Sequence, residues 1–420
     1  MPTEHTKCTE HGFQYFCGRI MNSYNKKMIN KKKLIRVTTS DLSLDSLLTG
    51  QLHYLNQYFD VVGLSSDSGL LQKVAEREGI RTIEVPMERS ISLKKDWQCL
   101  WQLVRVFKTE KPYIVHANTQ KGSLLSMIAA KITRVPNRIY YVTGLRYQGA
   151  TGIFRLILKT MERITCFCAT KVIPEGNGVK KALLEDHITH KRMEIIHNGN
   201  INGKDTSYFS SDAVEQELKA SGINKEGSAR EYYRNQIGLT PHDFAFIFIG
   251  RIVNDKGMHE LAEAMRRIKT EHKECKVILV GPFESELDPL LPEDEKFFKE
   301  DPSIVFVGRQ KDVRPFLLAA DALVFPSYRE GFPNVVLEAG AMGLPSIVTN
   351  INGCNEIIKD GLNGRIIQTH DANALYITMK YFVEHPVEVK RMAKNSRSII
   401  QEKYEQKDVW KAYLNMYNNL

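Results

Sequence analysis

Two successive series of short, β-branched runs, each run followed by a stretch of helical character, constrain the fold of this chain more than any other feature. LIRVTTS, FDVVGLSS, RTIEVP, YIVHANT, NRIYYVTG, KVIPEG and EIIHNG make the first series, between Leu34 and Gly199. FAFIFIG, CKVILVG, SIVFVG, ALVFPS, PSIVTN and GRIIQ make the second, between Phe244 and Gln368. Strands that alternate with helices form βα units, and repeated βα units build a parallel sheet. A polar segment from Gly203 to about Leu239 separates the series. The predicted class is therefore α/β, with two Rossmann-like domains facing each other across a cleft. A length of 420 residues fits this, because it exceeds a single core.

Within the second series, the stretch EGFPNVVLE (Glu330 to Glu338) sets two carboxylates around a Gly-Pro turn. LVFPS (Leu323 to Ser327) reads as a buried strand, and Pro333 suits the first turn of a helix running towards Gly343, where its missing N–H costs nothing. Unpaired N–H groups at a helix start attract phosphate, and Gly331 lets an anion approach the main chain. Glu330 then lies beside the anion site and Glu338 about a turn and a half into the helix. Carboxylates accept hydrogen bonds, so their partners near a nucleotide sugar are hydroxyls rather than phosphate. Upstream, DFAFIFIGRIVNDKG reads as a strand ending at Gly250, with Arg251 and Lys256 on the loop that follows. Ligands of open α/β sheets bind beyond the carboxyl ends of the strands, so both loops face one crevice and the two cations can neutralise a pyrophosphate. The competing reading is two solvated glutamates and two surface charges. The shared position at strand ends favours a site.

GRIVNDKG, followed by VGRQKDVRPFLLAADALVFPSYREGFPNVVLEAGAMGLPSIVTNINGCNEIIKDGLNG, resembles glycosyltransferase family 4, whose signature is two glutamates separated by seven residues. The resemblance runs from about Leu34 to the C-terminus. IRVTTSDLSLDSLLTGQLHYL, VHANTQKGSLLSMIAAKITRVPNRIYYVTGLRY and IIHNGNINGKD look like bacterial enzymes that build capsule, O-antigen or lipid-linked glycans. It implies the GT-B architecture, a retaining mechanism and no metal or other cofactor, the nucleotide sugar being a substrate. No DxD motif occurs, so cationic side chains and helix dipoles stand in for magnesium. The implied roles are Glu330 on the donor sugar, Glu338 on the ribose, and Arg251 and Lys256 on the diphosphate. Main-chain groups of Gly331, Phe332, Pro333, Asn334 and Val335 line the sugar and phosphate site. Gly50, in the loop after the first strand, admits the diphosphate from the opposite domain, and the loop from Arg309 to Val313 cradles the base. The chain departs from many relatives at Thr143 and Asn118, where histidines are common.

The implied division is a tail over residues 1–33, an acceptor-binding domain over 34–205, a nucleotide-sugar-binding domain over 206–385, and helices over 386–420 that cross back to the first domain. The tail lacks strand or helix periodicity and reads as disordered, or as an overextended start whose natural initiator is Met21 or Met28.

Composition narrows the partners. With 42% hydrophobic and 25% charged residues the chain is globular. No uncharged apolar run approaches the ~20 residues that span a bilayer, and no secretory signal is evident. Seven cysteines without a CxxC pair argue for a reducing cytosol and against zinc, with Cys166 and Cys168 structural. His116 likewise reads as structural. Up to Asp205 there are 31 Lys and Arg against 18 Asp and Glu, a net charge of +13, whereas the remainder carries −4. A basic half implies an anionic partner. Without a nucleic-acid-binding signature, that partner is a membrane surface with phosphorylated lipid, placing the protein in the cytoplasm at the inner membrane face. GIFRLILKTMERITCFCATK (Gly152 to Lys171) is either a helix resting on the bilayer or an ordinary amphipathic surface helix.

The leading expectation is transfer of a hexose or N-acetylhexosamine from a nucleotide sugar, UDP-linked, to a polyprenyl-diphosphate-linked saccharide. Two alternatives are a non-hydrolysing sugar-nucleotide epimerase of the same fold and a catalytically silent nucleotide-sugar-binding partner in a polysaccharide assembly complex. The absence of a GxGxxG after the first strand weighs against an NAD oxidoreductase.

Overall fold

A computed structural model describes residues 31–88, 92–222, 227–284, 286 and 288–420. The expected tail lies outside the described residues apart from its last positions, of which Lys33 already belongs to a strand.

Each series of apolar runs forms one six-stranded sheet. The first holds β1 (Lys33–Ser40), β2 (Asp60–Ser66), β3 (Arg81–Glu84), β4 (Ile114–Ala117), β5 (Asn137–Val142) and β6 (Lys171–Pro174), in the order β3-β2-β1-β4-β5-β6. Parallel pairs join β1 to β2 and β4, β2 to β3, and β4 to β5. The second holds β7 (Phe244–Ile249), β8 (Cys275–Val280), β9 (Ile304–Gly308), β10 (Ala322–Phe325), β11 (Ser346–Thr349) and β12 (Gly364–Ile367), in the order β12-β11-β10-β7-β8-β9, all paired in parallel. Both orders reverse direction beside their first strand, the topological switch of doubly wound sheets. Helices cover both faces of such sheets, so their strands are apolar throughout rather than alternating: Ala245 to Phe248 and Leu323 and Val324 are fully buried.

By contact the chain separates into two units, one made of residues up to Tyr141 with Met161–Val172, the other of Val142–Thr160 with Ile173–Leu420. In the second unit the polar linker contains helices Ser211–Ala220 and Ala229–Gln236. The latter opens with a complete capping box, in which Ser228 and Glu231 satisfy each other's backbone N–H groups. The C-terminal segment forms helices Pro386–Tyr404 and Gln406–Asn418, the first with proline at its opening position.

Two expectations are corrected. EIIHNG is not a strand: only an isolated bridge joins His197 to Gly199. His197, Gly199 and Asn200 all take positive φ, which folds the segment into a knot of turns. Gly50 does not directly follow the first strand either, because Ser40 caps a helix at Asp41–Leu47 that intervenes.

Candidate functional site

The switch point of the second sheet lies between β7 and β10, and the loops leaving these strands are clasped together. Gly257, at φ +70°, ends the β7 loop, and a side chain there would stand 2.1 Å from the Pro326 carbonyl oxygen, so only glycine allows the close turn. The Tyr328 N–H donates to the Asp255 carbonyl at 3.0 Å, and Arg329 Nη2 donates to Asp255 Oδ2 at 2.7 Å. Across this seam Lys256 Nζ meets Glu330 Oε1 at 2.5 Å, with side-chain exposures of only 13% and 23%. The two side chains are therefore neighbours in space, although 74 positions separate them.

Gly331 is demanded by packing. A side chain there would fall 1.8 Å from the Thr143 carbonyl oxygen and 2.8 Å from Glu175 Oε2. Phe332 is buried, and Pro333 is the cap residue before helix Asn334–Ala341 rather than a residue of its first turn. Asn334 Oδ1 accepts from Asn200 Nδ2 at 3.1 Å, and Val335 is half-buried beside it. Glu338, the fifth residue of this helix, is held by Lys204 Nζ at 2.6 Å, both side chains being largely buried.

The other predicted residues are less tightly engaged. Arg251 pairs with Glu284 at 3.1 Å, and its side chain is 44% exposed. Arg309 is exposed at the end of β9, and Val313 caps helix Arg314–Ala319. The anchored arginine of that loop is Arg314, gripped by Asp312 and Glu217. Gly50 is the one predicted residue in the first unit. Its N–H is taken by Glu78 Oε1 at 2.9 Å, which fixes the start of helix Gln51–Asn56.

Three residues of the site carried no assigned role in the sequence. Glu175, just past β6, is buried. Its pKa is held well above the carboxylate range by burial first and by the negative charge of Glu330 second. Asn200 braces the start of the Glu338 helix and also accepts from the N–H groups of Asn202 and Gly203. Lys204 pairs with Glu338. The only signal for the last two was the dense Asn-Gly pattern of HNGNINGK, which marks a turn without naming its partner.

Beside Glu330 the second unit opens into a cavity of about 730 Å³, lined in part by Asp255, Asp288, Tyr328, Arg329, Asn350 and Asn352. That volume lies in the range of small-molecule sites. In the first unit His116 and Asn118 are fully buried. Burial, with the nearby Arg36 charge, keeps the His116 pKa well below its usual value. Cys166 and Cys168 are buried thiols. Among the described residues no cluster of His, Cys, Asp or Glu is arranged to hold a metal ion, and no helix is long and apolar enough to cross a membrane.

Two doubly wound sheets, the second with paired loops and a polar cavity at its switch point, define a GT-B fold. The profile "Glycosyl transferases group 1" matches residues 229–399 and "Glycosyltransferase Family 4" matches residues 49–200. The chain belongs to this glycosyltransferase family. It is 29% identical to the capsular polysaccharide biosynthesis glycosyltransferase CapM of Staphylococcus aureus, over 93% of this chain and 98% of that protein. It is also 29% identical to an Escherichia coli UDP-Gal:alpha-D-GlcNAc-diphosphoundecaprenol alpha-1,3-galactosyltransferase, over 82% and 85% of the two chains. Among solved structures, HepE of Anabaena, crystallised with UDP and glucose, superimposes with a TM-score of 0.73 at 17% identity, covering 93% of this chain and all of that one.

Proposed function

We propose that this glycosyltransferase is a retaining enzyme that moves a hexose or N-acetylhexosamine from a UDP-linked donor to a polyprenyl-diphosphate-linked saccharide, in the synthesis of a bacterial surface polysaccharide. The observation that carries the reading is the Lys256–Glu330 pair across the two loops at the switch point. It puts one cation and one hydroxyl acceptor side by side, which is what a phosphorylated sugar requires. The relatives support the acceptor class: the E. coli protein is named for a diphosphoundecaprenol substrate, as is a Campylobacter jejuni N-acetylgalactosaminyltransferase that is 23% identical over 76% of this chain.

In this reading Glu330 accepts from donor-sugar hydroxyls and Glu338 from the ribose. Gly331 to Val335 line the sugar and phosphate site, and Arg309 to Val313 lie against the base. Arg251 and Lys256 hold the diphosphate and stabilise its charge as it leaves, in place of a metal ion. Residues 34–205 bind the acceptor, with Gly50 on the donor diphosphate, residues 206–385 bind the donor, and the C-terminal helices return to the first domain. The bond from the anomeric carbon to the diphosphate breaks while a bond to the acceptor oxygen forms on the same face, and the leaving phosphate oxygen takes the acceptor proton. The reaction runs at the inner, anionic face of the cell membrane and involves no nucleic acid.

Incubation with a panel of radiolabelled nucleotide sugars and a membrane lipid extract tests this directly. Label passes into the lipid phase with the wild type and not with Glu330→Gln or Lys256→Ala. Near-wild-type turnover by either variant, or label released only as free sugar, refutes the proposal.

A further inference from the structure

The helix Gly152–Cys168 turns its apolar side outward. Ile153, Leu156, Ile157, Ile164 and Phe167 are 78%, 59%, 45%, 41% and 70% exposed, respectively. Counted from Ile153 the other four fall three, four, eleven and fourteen residues on, which puts all five on one stripe of a helix. The opposite side, with Leu158, Glu162, Thr165 and Cys166, is buried. An ordinary surface helix of a globular protein does the reverse, so this face is built to meet something other than water.

Charge identifies the occupant. Arg163 is exposed at the edge of the stripe, Arg155 is half-exposed further round the helix, and Lys159 is largely buried in its pair with Asp186; the helix holds a single carboxylate, Glu162, which is buried against the Tyr140 hydroxyl. Lys131 Nζ stands 3.4 Å from the Phe167 ring centroid and adds a cation beside the aromatic residue at one end, while the Arg146 guanidinium lies 5.9 Å from the Phe154 ring at the other. Lys159 and Arg155 share Asp186, at 2.5 and 4.0 Å, so the acid available to them is outnumbered. An apolar stripe edged with cations and with no exposed carboxylate of its own matches the acyl and headgroup layers of an anionic bilayer. It does not match a protein partner, whose rim would bring both signs. The helix is about 25 Å long at 1.5 Å per residue and would lie in the plane of the interface.

We infer that the helix Gly152–Cys168 is a membrane-docking element that lies flat on an anionic lipid surface. The inference extends the proposed reaction at a membrane-borne acceptor and takes its purpose from that reading, while its geometry stands apart from the donor site. The exposure of Ile157 and Ile164 makes Ile157→Glu with Ile164→Glu a test that leaves the core intact.

The full chain is sedimented with vesicles of equal parts phosphatidylcholine and phosphatidylglycerol, and with vesicles of phosphatidylcholine alone. The wild type is expected to co-sediment with the anionic vesicles and at least tenfold less with the neutral ones. The double variant is expected to lose anionic binding tenfold or more, while its affinity for UDP, measured by calorimetry, stays within twofold of wild type. Absence of wild-type binding to anionic vesicles, equal binding by the variant, or a wild-type dimer by light scattering that the variant dissolves would each overturn the inference. Failure of UDP to bind either protein counts against the proposed function and leaves the vesicle result to be read by itself.

Discussion

Gly331→Ala is the smallest change that tests whether the Glu330 loop must sit where it does. The added carbon would lie 1.8 Å from the Thr143 carbonyl oxygen, against an ordinary carbon–oxygen contact of about 3.3 Å. Either the loop or the end of β5 must therefore retreat by more than ~1 Å, and misplacement of that size costs a reaction on the order of 100-fold. Overpacking of this kind also costs about 1–3 kcal/mol of stability. The obstacle is main chain, so trimming the side chain in Thr143→Ala gives no rescue. Glu338 lies on the helix beyond Pro333 and keeps its hold on Lys204, so under the proposed function nucleotide affinity falls less than turnover does. The assay is steady-state transfer from the preferred nucleotide sugar, with denaturant unfolding alongside. An alanine variant that keeps wild-type kcat, or one that recovers it when Thr143 is also changed, would refute the packing argument.

Two further outcomes are expected. Lys204→Met frees Glu338 from its 2.6 Å partner, and under the proposed role of Glu338 the donor KM should rise roughly tenfold with little change in kcat, a factor worth about 1.4 kcal/mol of binding; an unchanged KM would remove Lys204 from the proposed donor site. Glu162, which accepts from Tyr140 at 2.6 Å, is raised by burial from an ordinary 4.5 to about 7. The unfolded chain gives up this proton first as pH rises. The stability contribution is therefore intact below about 4.5 and is lost between there and about 7, by about 3 kcal/mol. Glu162→Gln stays neutral, so it should be more stable than wild type at about pH 8 and close to it at about pH 5, as read from urea unfolding at each pH. A wild-type stability that is flat across this window contradicts the assignment.

The strands were legible because a parallel sheet buries both faces of each strand, so β7 and β10 stand out as unbroken apolar runs. The same reasoning misread EIIHNG, which has the apolar start of a strand. The positive φ values at His197, Gly199 and Asn200 override it, and its Asn-Gly pair was the local warning. The helix before Gly50 was hidden for a similar reason: Ser40 ends β1 and caps Asp41–Leu47 with no intervening loop residue. The loops of Glu330 and Lys256 could be set at one crevice from sequence because each follows an identifiable strand, and the α/β topology sends such loops to one edge. Glu175 offered nothing comparable. It is one carboxylate after one short strand, and what makes it unusual is the company of Glu330 and Gly331, more than 150 positions away in the chain. Side chains whose meaning comes wholly from distant neighbours are invisible to periodicity and spacing.

The raised pKa of Glu175 bears on how the site would hold a diphosphate under the proposed function. Lys256, Lys204 and Arg251 each already face a carboxylate, Glu330, Glu338 and Glu284 respectively. Donor binding under the proposed function is thus an exchange of partners. The Arg251–Glu284 pair is the most exposed of the three and of a kind worth only about 0–1 kcal/mol, so Arg251 is the cation released at least cost. The Lys256–Glu330 pair is more buried, and parting it would leave a charge without a partner. Lys256 has three donors, one on Glu330 and one directed at Ser327 Oγ at 3.5 Å, so it can add a phosphate oxygen without leaving the glutamate. Burial and the Glu330 charge both make Glu175 hold its proton more tightly than an ordinary carboxylate, which lessens the negative charge that would stand beside Glu330 and oppose phosphates under the proposed function.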